Sequence, residues 1–240
     1  MAVLDYTALE GAHSSHDPFD FAVATGMIRP AHLGAVLADF PAITHSGLMP
    51  LSALKYGPAF AALIDELRSE SFSSILSRKL GLDLSRRPLM ITVRGRCHAK
   101  DGRIHTDSRD KVATALLYLN KPWESAGGRL RFLRRGDSLE DPVAEIPPDA
   151  GTLAAFRVCA RSFHGHNPYI GVRRYVMLNW MANHAALWRE LARHQLSAGI
   201  KSILSVFRNR DPLNTNETSQ HSGCSQCDDH LRRFPRRRPF

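Results

Sequence analysis

Lys111-Val112-Ala113-Thr114-Ala115-Leu116-Leu117-Tyr118-Leu119-Asn120, followed by Lys121-Pro122-Trp123 and then Gly127-Gly128-Arg129-Leu130-Arg131-Phe132-Leu133, is the stretch on which the fold turns. An apolar run bounded by turn residues suits a buried strand, and one this apolar also suits a segment of helix. The glycines at 127 and 128 favour two strands joined by a loop. Toward the C-terminus, Gly151-Thr152-Leu153-Ala154-Ala155-Phe156-Arg157-Val158 follows the turn-rich Ile146-Pro147-Pro148-Asp149-Ala150, and Arg174-Tyr175-Val176-Met177-Leu178-Asn179-Trp180 reads as a fourth strand. Short strands at regular intervals with turns between them predict a sandwich or jelly roll.

Residues with chemical potential bracket these strands. Gly102-Arg103-Ile104-His105-Thr106-Asp107-Ser108 lies just before the first, and Ser162-Phe163-His164-Gly165-His166 and the pair Arg173-Arg174 come later. In an extended segment residues i and i+2 point to one side, so His105 and Asp107 can reach one metal ion while Thr106 faces away. Two imidazoles and one carboxylate hold one face of an octahedral Fe(II) and leave positions for an organic co-substrate and O2, which points to an iron oxygenase. An H-x-D spacing alone is a weak signal. His164 and His166 are also two residues apart, so either could complete the set; His166 otherwise lines the substrate mouth or faces solvent at the rim.

The period of two puts Arg174 on one face with Val176, Leu178 and Trp180. A guanidinium among apolar groups is costly unless a carboxylate pairs with it. That carboxylate could belong to a ligand, such as 2-oxoglutarate, or to Glu145. Arg174 could also face solvent, and Arg173 takes its place if the turn at Gly171 is tight.

The collinear order His105-x-Asp107, Tyr118-Leu119-Asn120-Lys121-x-Trp123, Gly127-Gly128-x-Leu130-Arg131, His164-x-x-x-Pro168, Gly171 and Arg174-Tyr175 followed by Trp180 resembles the 2-oxoglutarate/Fe(II) dioxygenases, in their prolyl-hydroxylase-like branch. The resemblance covers roughly residues 91–182. It implies a double-stranded β-helix, with His105, Asp107 and His164 as the catalytic iron ligands, Arg174 pairing with the far carboxylate of 2-oxoglutarate, and Tyr118 donating to the same carboxylate. It also implies O2 as co-substrate, ascorbate in a supporting role, and release of succinate and CO2 as a substrate C–H is hydroxylated. A prolyl or other amino-acid or peptide substrate is the expectation it carries.

The fold class expected is therefore α+β, mainly β: a double-stranded β-helix (jelly roll) with N-terminal supporting helices and one C-terminal helix. Its parts are helical support over 1–90, the roll over 91–182, a helix within 183–208 and a disordered basic tail over 209–240. Pro30–Phe40, Phe60–Leu67 and Ile75–Leu80 carry apolar residues at helical spacing and should pack on the outer sheet. Ala185–Leu196 should be the last helix, with Trp188 on its buried face.

With 240 residues, 43% hydrophobic, the chain can bury one sizeable core. No stretch reaches about eighteen apolar residues, so no membrane span is expected. The acidic N-terminus does not read as a secretion signal, and we expect a cytoplasmic protein. Four cysteines do not make a disulfide framework, and Cys97 and Cys159 are expected as reduced thiols in or near the core. His221, Cys224, Cys227 and His230 are zinc-ligand types, but all four fall within one short span, unlike two separated knuckles. The net charge of +9 owes part to Arg232-Arg233-Phe234-Pro235-Arg236-Arg237-Arg238, and no nucleic-acid-binding motif accompanies it. A small-molecule or peptide substrate is expected rather than nucleic acid. The competing reading is a non-catalytic β-roll that senses 2-oxoglutarate or binds a partner through its basic surface.

Overall fold

The computed structural model describes residues 2–193. In chain order these form α1 (Tyr6–Glu10), β1 (His13–Ser15), β2 (Phe21–Ala24), α2 (Pro30–Ala38), β3 (Met49–Pro50), α3 (Pro58–Leu67), α4 (Glu70–Leu80), β4 (Leu89–Cys97), β5 (Lys111–Tyr118), β6 (Leu130–Leu133), β7 (Pro142–Ile146), β8 (Leu153–Arg157), β9 (His164–Gly165) and β10 (Gly171–Met181). Residues 184–193 are helical.

The strands make two antiparallel sheets, one of seven strands in the order β1-β2-β8-β5-β10-β4-β3 and one of three in the order β7-β6-β9. The period of two sorts each central strand between two apolar layers. On β5, Ala113, Ala115 and Leu117 face the helices, and on β10 Val176, Leu178 and Trp180 do the same, packing with Phe60, Leu63, Phe72 and Leu76. The alternate residues Leu116, Tyr118, Tyr175 and Met177 face the small sheet and meet Leu130, Phe132 and Phe156. This second layer is the inside of the roll.

The helices are set by local signals. Pro58 opens α3 at its first turn. Ser69 caps α4 by accepting from the Phe72 N–H at 3.1 Å, Arg78 and Lys79 sit in its last turn, and Gly81 ends it at φ 62. Phe72 of α4 lies over Trp180 with ring centroids 6.4 Å apart, tying the helical layer to the sheet.

Two expectations are corrected. The first ninety residues are not purely helical, because β1, β2 and β3 extend the large sheet at its two edges. At two to four residues each, they are too short to show alternation. Trp188 is 69% exposed; the last helix instead buries Ala186, with Leu187 and Leu191 beside it, against Met90 and Met181. Cys97 is buried, Cys159 is half-buried past the end of β8, and both are free thiols. The Cys/His/Arg-rich tail lies outside the described residues. No helix among the described residues is long and apolar enough to cross a membrane.

Candidate metal centre and adjoining pocket

His105 lies in an extended segment that continues the small sheet beside β9, through a two-way bridge in which each of His105 and His164 donates its N–H to the other's carbonyl at 3.0 and 2.9 Å. This pairing sets the two imidazoles side by side, with ring centroids 4.3 Å apart. His105 Nδ1 lies 2.9 Å from the Arg103 carbonyl, and His164 Nδ1 lies 2.9 Å from the Ser162 carbonyl. A carbonyl only accepts, so each Nδ1 carries the proton and each Nε2 keeps its lone pair for a metal.

Asp107 Oδ1 stands 3.9 Å from His105 Nε2. One ligand atom from each of His105, Asp107 and His164 lies within 4.8 Å of the others. Donors roughly 2.1 Å from a shared ion stand roughly 3 to 4 Å apart, so small inward shifts close the set on one. Two imidazoles and one carboxylate on one side of the ion fit Fe(II) with open coordination positions.

The Asp107 carboxylate is fixed from behind. Thr114 Oγ1 donates to Oδ2 at 2.5 Å, and Lys111 Nζ lies 3.3 Å from Oδ1. Asn179 Oδ1 is 3.0 Å from the same Thr114 hydroxyl, while Asn179 Nδ2 is buried with no partner. A hydroxyl has one proton to give. With the Asn179 amide turned over, one of its N–H groups donates to Thr114, whose own proton is then free for Asp107. Burial alone pushes the Asp107 carboxyl up, but Lys111, His164 and Thr114 outweigh it and hold the group below its ordinary range. Burial drives His164 down to about 4, so it stays neutral and available as a ligand near neutral pH.

From this set a cavity of about 390 Å³ runs between the sheets, walled by Leu116, Leu130, Tyr175 and Met177, to Arg173. Arg173 is 2% exposed. Its Nε donates to the Gly128 carbonyl at 2.8 Å and one Nη to the Tyr118 hydroxyl at 3.2 Å. The guanidinium also lies 5.2 Å from the ring centres of both Tyr118 and Tyr175. Among the described residues no carboxylate pairs with it. Burial pushes the Tyr118 hydroxyl up to about 12, so it remains a donor. Arg94 lines the same cavity, paired with Asp101 at 2.5 Å, and its Nε is buried without a partner.

The expectation for Arg174 is corrected here. It does share a side with Val176, Leu178 and Trp180, but that side faces the helices, and its guanidinium lies 5.1 Å from the ring centre of Phe40. By the same period of two, Arg173 falls on the inner side with Tyr175 and Met177. Both faces of β10 are apolar, so parity could not say which one lined the cavity. Glu145 pairs with Arg131 at 2.6 Å and with neither member of the Arg173-Arg174 pair.

His166 lines the cavity but lies outside the metal set, and it is 7% exposed rather than a solvent-facing rim residue. Its N–H donates to the Gly102 carbonyl at 2.9 Å, so the loop before His105 closes over it. Burial, with Arg173 and Arg94 nearby, brings its imidazole down to about 4. Sequence reading missed Lys111, Thr114, Asn179 and Arg94. A signal existed for three of them: polar residues at inner-face positions of otherwise apolar strands.

Residues 94–182 match the 2OG-Fe(II) oxygenase superfamily. No curated protein matches the chain by sequence. Among solved structures, a prolyl 4-hydroxylase from Phytophthora capsici is 18% identical, with 76% of this chain and 67% of that one covered and a TM-score of 0.51, a likeness of fold. A Pseudomonas putida prolyl-4-hydroxylase is 21% identical, with 67% of this chain and 92% of that one covered and a TM-score of 0.46. A Trichoplax adhaerens prolyl hydroxylase in complex with a hypoxia inducible factor peptide fragment is 17% identical, with 67% and 83% covered and a TM-score of 0.43.

Proposed function

We propose that this chain, whose residues 94–182 belong to the 2OG-Fe(II) oxygenase superfamily, hydroxylates a C–H bond of an amino-acid or peptide substrate, a prolyl residue foremost, with release of succinate and CO2. The observation that carries this reading is the pairing, in one cavity, of a His/Asp/His set at one end with a buried, acid-free Arg173 at the other. A dicarboxylate that chelates a metal through one end and needs a cation at the other fits both.

In this reading His105, Asp107 and His164 hold Fe(II), which when bound with O2 and 2-oxoglutarate supplies the oxidising power for C–H hydroxylation. Arg173 would hold the far carboxylate of 2-oxoglutarate through the part of its guanidinium not engaged by Gly128 and Tyr118, and the Tyr118 hydroxyl would be a further donor to it. Leu116, Leu130 and Met177 exclude water along the way, which strengthens that ion pair. Thr114 and Lys111 keep Asp107 ionised and aimed, and the Arg103 and Ser162 carbonyls fix the histidine tautomers.

Incubation with Fe(II), 2-oxoglutarate, ascorbate and a set of proline-containing peptides tests this. The expected result is succinate release matched by one added oxygen atom on a peptide. Failure to bind 2-oxoglutarate in the presence of Fe(II) would overturn it.

A further inference from the structure

Asp107 and Lys111 wall a second cavity, of about 500 Å³, on their other side. It lies between the loop after α4, the segment from Thr106 to Val112 and the chain leaving β8. The cavity toward Arg173 suits the co-substrate, and this one meets the proposed iron set through Asp107.

Its lining is lopsided in charge. Arg87, Arg109, Lys111 and Arg157 face only two carboxylates, Asp83 and Asp107. Lys111 and Asp107 neutralise each other. Arg109 is exposed and has no carboxylate within ion-pair distance among the described residues. Arg157 is half-exposed and reaches Asp20 only at 3.5 Å, and Arg87 donates to the Ala182 carbonyl at 2.8 Å with Asp83 as its nearby opposite charge. Asp83 is tied to Ser85 by two hydrogen bonds. The remaining walls are apolar or small, from Leu82, Val112, Val158 and Cys159, and none of the lining is aromatic.

Resting on the hydroxylase reading, we propose that this cavity is the primary-substrate subsite and that it selects a peptide bearing a carboxylate side chain beside the residue to be oxidised. The apolar walls accept the ring or aliphatic part, and the arginines, planar and forked, take the carboxylate. Nucleic acid fits less well, because a base has no aromatic side chain to stack on. Charge unmatched around a cleft also raises the encounter rate with an acidic partner.

The test uses the full chain, kept anaerobic with Fe(II) and 2-oxoglutarate, and fluorescein-labelled Gly-X-X-Pro-X-X-Gly peptides in which X is all Glu, all Gln or all Lys. Anisotropy at low salt should show the Glu peptide binding roughly tenfold tighter than the Gln peptide, as a few partly exposed ion pairs allow. Arg109→Glu should erase that preference, and Arg109→Glu with Arg157→Glu should reverse it in favour of the Lys peptide. Unfolding cannot produce a reversal. Equal binding of the Glu and Gln peptides by a chain that binds 2-oxoglutarate would overturn the subsite alone. Tighter binding of a single-stranded oligonucleotide, lost in Arg109→Glu, would overturn it in favour of nucleic acid. Loss of 2-oxoglutarate binding in the unaltered chain would overturn the hydroxylase reading, and the subsite with it.

Discussion

Replacing Arg173 by Met, and separately Arg174 by Met, distinguishes two adjacent residues of one type by burial alone. Arg173 is 2% exposed, and its Nε and one Nη are fixed on Gly128 and Tyr118, leaving the rest of the guanidinium to face the cavity. Without it, the far carboxylate of 2-oxoglutarate would enter a buried end whose other arginine, Arg94, is already paired with Asp101. Breaking one partner of a buried ion pair costs about 3–5 kcal/mol, which corresponds to a loss of at least roughly a hundredfold in affinity. Arg173→Lys keeps the charge but loses the fork, and its loss should fall between, at roughly tenfold. Arg174 stacks on Phe40 outside the cavity, so Arg174→Met should leave 2-oxoglutarate affinity within about twofold and cost about 0.5–1 kcal/mol of stability at most. The assay is anaerobic calorimetric titration of 2-oxoglutarate into the Fe(II)-loaded protein, with thermal melts to show that each variant is folded. An Arg174→Met protein that loses as much affinity as Arg173→Met, or a folded Arg173→Met protein that keeps it, would refute this assignment.

Thr114→Val keeps the shape of the side chain but removes the proton given to Asp107; Fe(II) affinity should fall roughly tenfold or more, measured by competition with a chelator, with no change in fold. Metal-free protein should lose stability as pH falls from about 6.5 toward 4. His164 binds its proton at 6.5 when unfolded but only near 4 when folded, so the unfolded state takes up protons first. His164 contributes on the order of 3 kcal/mol of that loss, read from urea midpoints; His164→Gln should make the profile shallower over this window, and the part due to His166, also held near 4 by burial, should remain. Trp180→Ala opens a cavity between β10 and α4, where the ring is 1% exposed, and should cost about 3–5 kcal/mol in denaturant unfolding.

Much of the roll could be read from the chain because its strands are long, apolar and bounded by glycine and proline. β5, β8 and β10 all appear where the runs predict them. The metal set was legible for a local reason: His105 and Asp107 sit two apart in an extended segment, so their convergence needs no tertiary knowledge. The choice of His164 over His166 was not local, since it depends on the cross-strand bridge to His105. Arg173 was obscured by a strand whose two faces are equally apolar, so the period of two could not say which face lined the cavity. Trp188 shows the reverse: a large apolar side chain invites burial, yet Ala186 is the residue the last helix turns inward. The edge strands β1 to β3 gave no period because none exceeds four residues.

The most direct test is anaerobic titration of the chain with Fe(II) and then 2-oxoglutarate, following the weak visible absorption that appears when the co-substrate chelates the metal. The band should form in the unaltered protein, vanish in Asp107→Ala, and need far more 2-oxoglutarate in Arg173→Met. No band at saturating Fe(II) and 2-oxoglutarate, or an undiminished band in Asp107→Ala, would contradict the assignment of His105, Asp107 and His164 as the iron site.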